Sequence, residues 1–170
     1  MRVSLTVLAV AAAGLIAAAC ATDDASDQNE RIVLAMIEAV NERDFDALDS
    51  LVAADMRRHS AATPDVKVES LDDFKAFLEA DVATFPDSRM TVNRLFADDE
   101  MVAVHATYAG TQQGPMGPFP ASGKRMELPF MGMLRIEEGK IAEMWVEWDN
   151  INTLTQLGHF PPPEAAPPTQ

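Results

Sequence analysis

The chain has 170 residues, enough for one domain, and 48% of them are hydrophobic, so a packed core can form. Its 27 acidic residues against 13 lysines and arginines give a formal net charge of −14, which argues against nucleic acid as a partner, because phosphate binding needs a basic surface. A single cysteine rules out an intramolecular disulfide, and His59, His105 and His159 lack the spacing of a zinc motif, although distant residues can still converge in space.

Residues 1–19 carry one basic residue, Arg2, followed by an apolar run that ends in small residues. That is the layout of a secretory signal peptide. The run is short for a membrane span, and its right flank is acidic. Cys20 follows Ala17, Ala18 and Ala19, which resembles a bacterial lipobox, with Ala17 where leucine is usual. Two outcomes follow from this reading. In one, Cys20 is lipidated and the chain is an exported lipoprotein anchored to a membrane. In the other, cleavage after Ala19 or Ala21 leaves no lipid. Residues 20–29 are small, polar and acidic and read as a solvated tether.

Apolar residues at Ile32, Val33, Met36, Ile37, Ala39 and Val40 recur at spacings of three and four, so residues 29–43 form an amphipathic helix. A shorter helix is expected over 44–52, with Asp44 as its N-cap. Ser70 and Asp73 form a capping signal that opens a third helix, whose core face is Phe74, Phe77, Leu78, Val82 and Phe85 and which Pro86 ends. The period then changes to that of strands, over 90–96, 101–111, 125–136 and 141–149. Turns are read at 98–100 and 137–140, and a short helix at 150–157 is stopped by Gly158. Helices followed by a run of antiparallel strands indicate an α+β fold with helices on one face of a sheet. The proline-rich segment 159–170 reads as a disordered tail, and His159, at its start, is given no role.

The last strand holds both tryptophans. Strand alternation puts Glu143, Trp145, Glu147 and Asp149 on one face and Met144, Val146 and Trp148 on the other. If the first face lines an apolar pocket, desolvation favours the protonated acids and equips them for proton transfer. Otherwise Asp149 is the N-cap of the next helix and Glu147 an exposed strand residue. The methionines 126, 131, 133 and 144, with Phe130, either adapt to a ligand or form ordinary core.

Residues 110–149 hold Gly110-Thr111, Gly114, Pro120, Gly123-Lys124 and a hairpin with Arg135, Gly139-Lys140, Glu143, Trp145 and Asp149. Together with the segments 41–60, which includes His59, and 70–87, this resembles the SnoaL-like polyketide cyclases, also called ester cyclases, of the NTF2-like superfamily, over about residues 30–158. The resemblance implies a cone in which a curved antiparallel sheet wraps around the N-terminal helices and encloses one pocket. It implies cofactor-free, metal-free acid/base chemistry on an apolar carbonyl or ester compound, with Asp149 as the catalytic acid and His59 facing the pocket. His105, on one strand face with Ala103 and Thr107, then becomes a ligand-binding candidate, alongside Trp145, Glu147, Met131 and Phe130. His105 stands where relatives have a bulkier basic residue, and Gln112 replaces a frequent histidine. Relatives often pair through their sheets, which would offer Met144, Val146 and Trp148 to a second copy. Two functions follow: a small enzyme (cyclase, isomerase or hydrolase), or an exported protein that binds a small hydrophobic molecule without turnover.

Overall fold

A computed structural model describes residues 25–160. The expected signal peptide, Cys20 and the tail beyond Phe160 lie outside the described residues. The elements are α1 (Ala25–Glu42), a 3-10 turn (Phe45–Ala47), α2 (Leu48–Leu51), β1 (Val52–His59), α3 (Leu71–Thr84), β2 (Arg89–Ala97), β3 (Met101–Thr111), β4 (Arg125–Glu137), β5 (Lys140–Trp148) and α4 (Asn150–Leu157). They form an α+β fold with one five-stranded, curved, unclosed sheet of order β1-β5-β4-β3-β2.

α1 begins at Ala25, so the end of the expected tether is helical. Asn29 is buried there, and its side chain donates to the Asp99 carbonyl at 3.0 Å. Both predicted caps form. Asp44 accepts from Ala47 N, and Ser70 Oγ accepts from Asp73 N at 3.1 Å. Asp73 returns a bond to Glu69 N, one residue before the cap. α3 ends at Thr84, two residues before Pro86, whose missing N–H and ring cannot continue a helix. The turn after β4 takes positive φ at Glu138 (50°) and Gly139 (75°), a twist that suits a tight hairpin.

Two expectations need correction. The helix expected over 44–52 is a 3-10 turn followed by a single α turn, and Val52 is already extended. The chain then forms β1, which hydrophobic alternation does not reveal: only Val52, Met56 and Arg58 are buried along it. β1 pairs in parallel with β5, His59 opposite Trp145, while the other three pairings are antiparallel. The sheet is therefore mixed at one edge.

The helices cover one face of the sheet. Val33 of α1, Leu48 of α2, Val52 and Met56 of β1, Val102 of β3 and Ile141 of β5 are fully buried in one cluster. Each such side chain contributes about 1.5–3 kcal/mol by leaving water. α4 seals one end, where Leu157 packs with Phe85 and Met126. His159 also belongs to the packed structure. Its Nε2 donates to Gln112 Oε1 at 2.8 Å, and its ring stacks on Phe119. The fully buried Gln112 donates in turn to the Pro120 carbonyl.

Candidate functional site

The two faces of β5 divide as strand geometry requires, but in the sense opposite to the one expected. Met144 is buried and Val146 packs against the core, so the face Met144, Val146, Trp148 turns inward and is not free for a second copy. Likewise, Val102, Val104 and Ala106 of β3 are buried, which turns Ala103, His105 and Thr107 outward. Trp145, Glu147 and Asp149 are exposed.

Register aligns the outward residues in rows. Phe96, Ala103, Met133, Trp145 and His59 lie opposite one another across all five strands. Phe96 is 65% exposed, Met131 59% and Met133 51%, forming an apolar stripe across the outer face. In the next row His105, Met131 and Glu147 are direct neighbours. That row opens into a shallow depression of about 460 Å³, lined by His105, Pro129, Phe130, Met131, Glu147, Trp148 and Asp149. Phe130 and Trp148 reach it from the inner face.

The structure thus brings five nominated residues together, and two of their carboxylates already have partners. Asp149 is the N-cap of α4: its Oδ1 accepts from Asn152 N at 3.0 Å. Glu147 accepts from Ala61 N at 2.7 Å and Ala62 N at 3.2 Å, tying the segment after β1 to the sheet. His59 and Trp145 sit in the adjacent row. Their rings stack with centroids 5.3 Å apart, and His59 Nε2 lies 2.8 Å from Glu143 Oε1. The His59 hydrogen bond, and then Arg135, hold Glu143 below the ordinary carboxylate range.

Three polar residues of the inner face escaped the sequence reading. Arg58 of β1 is 7% exposed, with its guanidinium over the rings of Phe77 (4.6 Å) and Trp148 (5.7 Å). Burial lowers its pKa, and the charge of Glu147 partly offsets this. Asp81 of α3 accepts from the Tyr108 hydroxyl through both oxygens, at 3.0 and 2.8 Å. Burial raises Asp81 despite the phenol and Arg43, and burial also raises Tyr108 well above its usual range. Asp81 was detectable, since it stands three residues after Leu78 and four after Phe77, on the apolar face of α3. Arg58 was not, because its segment carries no strand signal. Among the described residues, no group of three or more His, Cys, Asp or Glu side chains could hold a metal ion.

The family model for SnoaL-like polyketide cyclases matches residues 30–157. The chain belongs to this family. Among solved structures, TsrD from Streptomyces laurentii is 26% identical with a TM-score of 0.71, covering 78% of this chain and 96% of its own. IdmH from Streptomyces antibioticus, a putative polyketide cyclase, is 27% identical with a TM-score of 0.69, covering 77% and 99%. An LEH-like epoxide hydrolase of M. tuberculosis shares the fold at 16% identity and a TM-score of 0.64, covering 79% and 92%. No curated protein matches the chain. Membership in the SnoaL-like family fits a cofactor-free catalytic or binding domain, and the NTF2-like architecture accounts for helices held within a curved sheet.

Proposed function

We propose that this SnoaL-like protein is exported, anchored through a lipid on Cys20, and holds a small, flat, hydrophobic molecule without converting it. The observation that carries this reading is the convergence of His105, Phe130, Met131, Glu147 and Asp149 on one depression whose other walls are Pro129 and Trp148. Its volume falls within the range of small-molecule sites, and a few polar groups beside apolar walls are the usual composition of such sites. Two features support binding over chemistry. The depression is open to water, which weakens electrostatic catalysis. The carboxylates of Glu147 and Asp149 are engaged by backbone N–H groups of the segment after β1 and of α4. The apolar stripe Phe96, Met133 and Trp145 runs beside the depression, and pairing of two copies across it would partly roof the ligand.

The second reading is a cofactor-free acid/base enzyme acting on a hydrophobic carbonyl or ester compound. The contact between His59 and Glu143 favours it, because an oriented imidazole is the usual general base. The likeness to the putative polyketide cyclase IdmH points the same way. The test is to incubate purified protein with a membrane-lipid extract and identify retained compounds by mass spectrometry. The binding reading expects a compound released unchanged, and retained less by Met131→Asp. A chemically altered product supports the enzyme. Equal retention by Met131→Asp removes the depression as the site.

A further inference from the structure

Arg58 poses a problem that neither functional reading uses. A guanidinium carries five N–H donors and stays charged, so a buried one normally has a carboxylate beside it. This one is 7% exposed, and among the described residues its side chain makes one hydrogen bond, from Nη1 to the neutral Thr63 Oγ1 at 3.1 Å. No described carboxylate forms an ion pair with it. The charge of Glu147 is felt at Arg58, but the oxygens of Glu147 accept from Ala61 N and Ala62 N. A second unmet group lies close in sequence: Ser60 Oγ is buried with no hydrogen-bond partner among the described residues. Arg58, Ser60 and Thr63 line one cleft of about 300 Å³ between the end of β1 and the segment 60–69. Arg57 and Lys67 line it too, against a single acid, Glu69, in a chain where acids outnumber bases two to one. Pro64, Val66 and Val68 complete its walls with apolar surface.

We infer that this cleft binds a small carboxylate with an apolar body, its two oxygens received by the Arg58 fork and the Ser60 hydroxyl. The planar fork matches the two coplanar oxygens of a carboxylate. The rings of Phe77 and Trp148 hold the guanidinium and restrict its motion, so little ordering remains when the anion arrives. Inorganic phosphate also fits a guanidinium, but it would leave the apolar walls uncovered. The cleft shares no lining residue with the depression on the outer face of the sheet, and Trp148 stands between Arg58 and that depression.

The test is calorimetric titration of the purified protein with sodium benzoate, benzamide and inorganic phosphate. Benzoate is expected to bind, with neutral benzamide and phosphate each at least about tenfold weaker, as for the loss of a charge-assisted hydrogen bond. Arg58→Lys keeps the charge but loses the fork, and should weaken benzoate by about tenfold. Should Arg58→Lys fail to fold, Ser60→Ala still decides the matter. It removes only an unpartnered hydroxyl, should melt like the parent, and should weaken benzoate roughly fivefold. No benzoate binding by the parent, phosphate binding as tightly as benzoate, or unchanged benzoate affinity in Ser60→Ala would each overturn the inference.

Discussion

Asp149 is the residue on which the catalytic and structural accounts of the last strand divide, and two substitutions separate them. In the structure its side chain accepts from Asn152 N, while its backbone carbonyl accepts from both Thr153 N and Thr153 Oγ1. Asp149→Ala removes only the first of these bonds. The loss of an N-cap costs about 1 kcal/mol, within a range of roughly 0.5–2. α4 is only eight residues long and owes its place to Leu157, which is 1% exposed, so the cost should reach the whole domain. For a domain of this size that corresponds to a fall of about 3–5 °C in Tm. Asp149→Asn keeps the cap geometry. It forfeits only the attraction of an exposed carboxylate for the helix N-terminus, which salt screening holds at about 0.3 kcal/mol, the low end of the usual range. Its Tm should therefore drop by no more than about 1–2 °C. Differential scanning calorimetry on the three proteins, with ligand capture measured in parallel, makes the comparison. The account expects the order parent, Asn, Ala in stability and intact capture by the Asn protein. An Asn protein that melts like the parent but loses a measurable turnover would refute it and restore Asp149 as a proton carrier.

Tyr108→Phe leaves the half-buried Asp81 without its phenol donor and should cost about 1–3 kcal/mol in urea denaturation. The folded-state pKa of Asp81 is raised, so its contribution is fully present below the unfolded carboxylate value and is lost as pH rises through the folded value. The Tyr108→Phe penalty should therefore be larger at pH 7 than at pH 4, and a pH-independent penalty would contradict the assignment. Gly114→Ala would drive its Cβ against the Ala83 carbonyl oxygen and should destabilise by about 1–3 kcal/mol in the same assay. Met133→Asp places a charge in the exposed apolar stripe. Light scattering should show a dimer for the parent and a monomer for the variant, and a parent that stays monomeric when concentrated would remove pairing through this face. In a bacterial host the parent should partition into detergent and Cys20→Ser should not, so equal partitioning would end the lipoprotein reading.

Much of the fold follows from local patterns. The apolar spacing in α1, the Ser70 cap and the strand alternation of β3 and β4 each agree with the structure because tertiary packing reinforces them. β1 was hidden because an edge strand with one neighbour buries few residues, and Ala53, Ala54, Asp55 and Arg57 supply no alternation. The acids of β5 show a different limit. Alternation tells which residues share a face, but not which face is inside. Trp145 beside Glu147 looked like a pocket wall because a tryptophan is usually interior. Here it is 36% exposed and is covered in part by the ring of His59, contributed by the strand that the pattern missed. Both roles of Asp149 were visible in the order of the sequence. Choosing between them required the distance to Asn152 N.

The most direct test of the proposed site is an NMR spectrum of protein carrying 13C-methyl methionine, recorded while a retained ligand is added. Met131 lines the outer depression, whereas Met56 and Met144 lie in the core beneath the helices. The account predicts that the Met131 methyl moves with ligand concentration while those of Met56 and Met144 stay in place. Movement of the two core methyls with Met131 unchanged would put the ligand inside the cone and contradict it.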